Sequence, residues 1–159
     1  MTVTETPEIT ITEQELLALY EQMEVIRRTE KAAHDLFLAG LVKGTTHLAA
    51  GHEAVAVGAS AALRPGDYVF ATYRGHHHAI ARGASPVECL AELMSRSTGL
   101  CQAKGGSMHL TKASAGMLGS YAIVGAHLPI AAGAAWSAKL RGTGEIGRAS
   151  CRERVSFLV

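Results

Sequence analysis

No acidic residue occurs from 68 to 87, although the chain as a whole is nearly balanced, with 15 Lys plus Arg against 14 Asp plus Glu. Over 113–138 both signs are missing: there is no Asp, Glu, Lys or Arg. Cysteine is scarce, at three residues with no C-x-x-C pair, so a disulfide framework and a paired-cysteine metal site are both excluded. An odd cysteine count without such a framework fits a reducing, cytoplasmic setting. Residues 1–26 contain no Lys or Arg and no apolar h-region, which is not the pattern of a secretory signal. A net charge of +1 removes any global electrostatic case for nucleic acid or an anionic membrane. An anion site, if there is one, must be local.

What is present suits one ordinary domain. The chain has 159 residues and is 48% hydrophobic, enough apolar mass for a core. The uncharged run 113–138 is long enough to span a bilayer. It is mostly Ala and Gly, however, with His127 and Pro129 inside and little Leu, Ile or Phe. It reads as a loop followed by a tightly packed interior helix.

Along the chain, residues 1–11 form a polar lead expected to be frayed. "TEQE" at 12–15 is a capping box, after which Leu16, Leu19, Tyr20, Met23, Ile26, Ala33 and Phe37 recur at helical spacing until Gly40. A Gly-punctuated loop follows, then a helix of small residues over 52–63. "RPGD" at 64–67 is a turn, and "YVFA" at 68–71 a short buried strand. "SPVE" at 85–88 is a second capping box with Pro86 at the first helical position, opening a helix to about Ser95. From 97 to 125 the pattern dissolves into a span holding six glycines; loops this long are functional or disordered. Helix returns over 129–140 and Gly142 ends it. Helices alternating with short apolar strands predict an α/β layered fold.

The acid-free stretch contains "FATYRGHHHAIARG", with Arg74 and three consecutive histidines, His76 to His78. A metal is excluded by geometry: neighbours in a helix point about 100° apart, so three in a row cannot converge on one ion. "HEAVA" at 52–56 has alanine where a zinc helix needs its second histidine. "GLCQAKGGS" lacks the Walker spacing, no G-x-G-x-x-G follows a strand, and "GGSMH" is not a nucleophile elbow. Two readings of Arg74 stay open on pattern alone. A strand end carrying Tyr73 and Arg74 beside a helix start is a phosphate cradle. The alternative is a solvated loop charge, with the histidines forming a polar helix face. Lys104 and His109 sit in a Gly-rich loop that pattern favours as mobile and exposed. His47, alone in its loop, favours a satisfied structural histidine.

Four stretches, "HLAAGHEAVAVGASAAL", "DYVFATYRGHHHAIARG", "CQAKGGSMHL" and "YAIVGAHLPIAAGAAWSAKLRG", together resemble the α subunit of thiamine-diphosphate-dependent 2-oxo acid dehydrogenases. These are the decarboxylating first components of the pyruvate and related complexes and of the acetoin dehydrogenase system. The resemblance runs in order from about Leu16 to Thr143. It implies a doubly wound α/β fold and an α2β2 heterotetramer with a β subunit, the cofactor lying between the two chains. It also implies decarboxylation of a 2-oxo acid, or cleavage of acetoin, with acyl transfer to a lipoyl group of the acyltransferase component. The acceptor is then a disulfide.

Carried over by position, Tyr73 and Arg74 match the pair that holds the diphosphate. His47 matches the histidine near the substrate carboxylate and the reacting carbon. Ala122 and Val124, in "AIVG", match the backbone segment beside the aminopyrimidine. Val124 would support the bent cofactor, while Ala122 stands where many relatives have glycine. The magnesium ion that clamps the diphosphate is held in the family by a G-D-G motif and a later Asn, and neither is found here. Residues 12–144 thus read as the N-terminal part of a thiamine-diphosphate-binding domain. Residues 145–159, with three arginines and no alternating pattern before "VSFLV", read as a tail foreign to the family. The alternative function is a non-catalytic chain that keeps the α-subunit interface but no magnesium site.

Overall fold

The computed structural model describes residues 11–144 and the backbone of 147–151 and 154–158. Residues 1–10 of the expected lead lie outside the described residues. Thr12 caps helix α1 (Glu13–Leu38) through the reciprocal box with Glu15 that the sequence predicts. Helix α2 (Glu53–Ala61) starts at a carboxylate that Arg27 of α1 holds in a two-pronged ion pair at 2.5 and 2.9 Å. That bond to Arg27 brings the Glu53 carboxyl down to about 2 despite its burial. Strand β1 (Tyr68–Thr72) follows the predicted turn, and helices α3 (His76–Ala81) and α4 (Pro86–Leu93) come next. Helix α5 (His127–Arg141) ends at Gly142, which takes the left-handed conformation at φ 65°.

Two strands are absent from the sequence reading. β2 (Met117–Tyr121) lies inside the span where the pattern dissolves, and β3 (Gly147–Cys151) inside the stretch read as lacking strand pattern. β2 does not alternate apolar with polar residues, and β3 alternates only Gly147, Ala149 and Cys151 with Arg148 and Ser150. Both are parallel to β1, one on each side, and a parallel ladder is satisfied by backbone whatever the side chains. β4 (Arg154–Leu158) pairs antiparallel with β3 and completes the sheet order β2-β1-β3-β4.

β1 therefore sits inside the sheet, and its alternate residues feed two cores. Val69 and Ala71 pack with Ile26 of α1, Ala56 and Val57 of α2 and Ala79 and Ile80 of α3. Phe70 points the other way, against Ala131 of α5. Helices cover both faces, the arrangement a parallel sheet requires. The expected tightly packed helix is packed on one side only. Ala131, Ala135 and Ala138 are buried, while Leu128, Ile130, Trp136 and Leu140 are exposed. No helix among the described residues is long and apolar enough to cross a membrane.

Candidate active site

Adjacent parallel strands whose loops leave for opposite faces open a crevice at their carboxyl ends. β1 and β2 do this. The last paired residues are Thr72 and Tyr121. From Thr72 the chain passes through Tyr73 and Arg74 into α3 on the first face. From Tyr121 it passes through Ala122 to Gly125 into α5 on the second. The close approach of the two paths needs a glycine: a Cβ on Gly75 would lie 2.5 Å from both Cβ and Oγ of Ser120.

The structure brings His47, Tyr73 and Arg74 together. The His47 ring meets the Tyr73 ring edge-on, with centroids 4.6 Å apart. The Arg74 guanidinium lies 5.7 Å from the centre of the same tyrosine ring. Arg74 Nη1 donates to the Leu48 carbonyl, and among the described residues no carboxylate pairs with this guanidinium. Three buried polar atoms around the crevice lack a hydrogen-bond partner among the described residues: Thr46 Oγ1, His47 Nδ1 and Thr72 Oγ1. The satisfied structural histidine expected from pattern alone is thus not what His47 is. Burial lowers its pKa, and the charges of Arg74 and His76 lower it further. The ring is accordingly neutral at pH 7 and able to accept a proton. Ala122 is half-buried at the mouth, and Val124 is exposed beside Ile123.

The three consecutive histidines are not the wet helix face that composition suggests. His76, His77 and His78 are all buried. The His77 and His78 rings lie 4.2 Å apart, tilted by 39°, and burial pushes the His77 pKa strongly down. His76 Nδ1 lies 3.0 Å from Glu30 Oε1, and its Nε2 lies 2.8 Å from Ser107 Oγ. Glu30 is one of the residues the sequence reading missed. Its signal is present in the pattern: the apolar spacing of α1 steps from Ile26 to Ala33 over position 30, so a carboxylate stands on the buried face.

Glu92 was missed as well. Its carboxylate is fully buried and accepts four backbone N–H groups, from Cys101, Ala103, Gly105 and Gly106 at 2.7–3.1 Å. Burial alone would raise this carboxyl; the four amides outweigh it and hold it below the usual range. The loop read as mobile is therefore anchored; Gln102 and Ala103 adopt left-handed φ values of 54° and 68°, the Gln102 N–H donating to the Gly99 carbonyl and the Ala103 N–H to Glu92. Lys104 and His109 remain exposed on its outer side. Ser107 on the same loop takes the His47 N–H at 3.2 Å, so the anchored loop reaches the crevice. Among the described residues no three His, Cys, Asp or Glu side chains gather to hold a metal ion.

Comparison with known proteins gives a consistent picture. A family model described as "Dehydrogenase E1 component" matches residues 21–151. The chain is 44% identical over 135 residues to the α subunit of the acetoin:2,6-dichlorophenolindophenol oxidoreductase of Bacillus subtilis, covering 85% of this chain and 40% of that one. It is 45% identical over 132 residues to the pyruvate dehydrogenase E1 α subunit of Zymomonas mobilis, covering 82% and 37%. Identity to the mitochondrial pyruvate dehydrogenase E1 α-1 subunit of Oryza sativa is 44% over 134 residues, covering 84% and 34%. The chain spans about two-fifths of the length of the curated relatives it matches most fully.

Proposed function

The chain belongs to the dehydrogenase E1 component family, and from that premise we propose that it forms the N-terminal part of an α subunit that binds thiamine diphosphate in the β1–β2 crevice. On this reading the fold is the doubly wound thiamine-diphosphate fold, and a β subunit covers the open side of the crevice in an α2β2 assembly. The reaction is oxidative decarboxylation of pyruvate or a related 2-oxo acid, or cleavage of acetoin, with the acyl group passed to a lipoyl disulfide of the acyltransferase component. Relatives named for acetoin and for pyruvate lie at the same identity, 44% and 45%, so the substrate class is left at these two.

One observation carries the proposal. Arg74 is a half-buried cation with no carboxylate partner among the described residues, held at a strand's carboxyl end in an acid-free stretch. Such a cation fits a diphosphate. Its Nη1 is committed to Leu48, which fixes the guanidinium plane and leaves its other N–H groups to face the ligand. Thr72 Oγ1, buried and without a partner, adds a hydroxyl at the same strand end. Exposed Val124 and Ile123 supply apolar surface beside it for an aromatic ring. Thiamine diphosphate bound there would supply a nucleophilic carbon for the substrate carbonyl and, in its cationic ring, a sink for the electron pair of the bond that breaks. His47 is neutral, with a free Nδ1, and handles the substrate proton. Magnesium finds no ligand set among the described residues.

The test is calorimetric titration of thiamine diphosphate into the assembly of this chain with its β partner. Arg74→Ala is expected to weaken binding tenfold to a hundredfold, about 1.5–3 kcal/mol for a charge-assisted contact. Unchanged affinity overturns the diphosphate assignment. An assembly that forms but binds no cofactor at all points instead to a non-catalytic chain.

A further inference from the structure

We propose that Glu30, His76 and Ser107 form a buried relay that positions His47, with His76 as the positioning residue that joins its two ends. The inference rests on the reading of His47 as a crevice residue that handles substrate.

Three successive residues, 47–49, each have one backbone group held by a side chain from elsewhere in the fold. The His47 N–H donates to Ser107 Oγ at 3.2 Å. The Leu48 carbonyl accepts from Arg74. The Ala49 N–H donates to Glu30 Oε2 at 3.0 Å. Two of these holders, Glu30 on α1 and Ser107 on the anchored loop, are linked through the His76 imidazole by contacts of 3.0 and 2.8 Å. The residues joined to His76 are 46 and 31 positions away in sequence, so the link spans three separate elements.

A carboxylate can only accept, so Nδ1 of His76 donates to Glu30. Nε2 faces both the Ser107 hydroxyl at 2.8 Å and the Ser107 carbonyl at 3.2 Å, and the Ser107 hydroxyl oxygen accepts the His47 N–H. All three side chains are buried, Glu30 and His76 to 1% and 2% exposure. Desolvating three polar groups costs more than filling the same volume with apolar side chains, so packing alone does not account for them.

What the relay holds is a backbone whose side chain is left open. His47 Nδ1 has no hydrogen-bond partner among the described residues, and the ring lies edge-on to Tyr73 with centroids 4.6 Å apart. The imidazole takes its direction from the clamped backbone and the tyrosine. A histidine held by its own ring nitrogens would have no nitrogen left for substrate. Holding it through the main chain keeps the ring chemistry available.

The experiment is amide hydrogen exchange by NMR on the 159-residue chain, in two variants that cut the relay at different places. Asn approximates the Nδ1 side of histidine and Gln the Nε2 side. His76→Asn is expected to keep Glu30 in place and lower protection of the His47 amide about tenfold while leaving Ala49 protected; His76→Gln is expected to do the reverse. Ser107→Ala should match His76→Asn at His47, and Ser107→Thr should restore it. Amides of Ile26 and Val57 in the core helices should not change. Equal loss at His47 and Ala49 in both His76 variants, or loss shared with Ile26 and Val57, overturns the relay in favour of general destabilisation. Unchanged protection throughout overturns it too. In the enzyme assembly, His76→Asn should lower kcat at retained cofactor affinity. If His47→Ala leaves turnover intact while the exchange pattern holds, the role given to His47 fails and the relay stands.

Discussion

Two polar regions of this molecule are built on opposite principles. Around Glu92 every group is satisfied: one carboxylate takes four backbone amides, and the loop closes on it as on a bound anion. At the carboxyl ends of β1 and β2 the account is left open, with Thr46 Oγ1, His47 Nδ1 and Thr72 Oγ1 lacking partners and Arg74 lacking an acid among the described residues. Buried polar groups are almost always paired, so an unpaired cluster marks a place prepared for something else. The closed region is architecture and the open one is chemistry. Ser107 connects them, since the loop that Glu92 anchors delivers its hydroxyl to the His47 amide.

The comparison breaks most forcefully at Glu92. Removing its carboxylate by Glu92→Ala strands four buried amides and releases two non-glycine residues held at positive φ. Each buried donor left unpaired costs on the order of 1–3 kcal/mol, and with partial relaxation of the loop the expected loss is about 3–5 kcal/mol in urea denaturation. Glu92→Gln retains one acceptor oxygen and should recover part of it. A loss below about 1 kcal/mol for the alanine variant would mean that water replaces the carboxylate, and the region would not be closed in the sense argued.

A smaller effect is expected where the two strands leave the sheet. Gly75→Ala places a Cβ 2.5 Å from the Ser120 side chain. Ser120 cannot yield freely, because its Oγ donates to the Met108 carbonyl and accepts the Leu110 N–H, both at 2.8 Å. Overpacking of this kind costs about 1–3 kcal/mol. The double variant Gly75→Ala, Ser120→Gly should be more stable than the sum of the single losses predicts, measured as a cycle of denaturation free energies. Additivity would show that the glycine is not there for the close approach.

Legibility in the sequence followed the same division. Both capping boxes, the long first helix, the first strand and the glycine stop of α5 come from local rules, and the structure contains them all. β2 was not legible because it does not alternate, and β3 because its alternation sets only Gly147, Ala149 and Cys151 against polar residues, with no large apolar or β-branched side chain to mark a strand. Of the candidate site, Arg74 and Tyr73 stood out through the missing acids around them. Glu30, Glu92 and Ser107 did not. A carboxylate on a helix reads as a solvated charge unless the apolar spacing shows that its face is buried, as at position 30. Nothing local marks Glu92, whose four partners lie 9–14 residues onward in a loop without periodicity.

The smallest effect sharpens the comparison by acid. Protonation attacks the two regions at different pH, since one keeps a carboxylate charged and the other keeps imidazoles neutral. His77 and His47 both have pKa values lowered from 6.5, chiefly by burial. As pH falls below 6.5 the unfolded chain takes up these protons and the folded chain does not, so stability declines from there downward. One such group contributes at most about 1.4 kcal/mol per pH unit. Glu92 and Glu53 are lowered from 4.5, the latter to about 2. Their contribution is intact above 4.5 and is lost only as pH falls further, through the unfolded value toward the folded one. Urea midpoints followed by circular dichroism from about pH 7.5 to about pH 2 should therefore decline in two stages. His77→Gln should flatten the stage that begins near pH 6.5 and leave the lower one in place, whereas Glu92→Gln should do the opposite. A single decline confined to the carboxylate range, unchanged in His77→Gln, would show that the buried histidines protonate freely in the folded state, and the contrast between buried carboxylates kept charged and buried imidazoles kept neutral would fail.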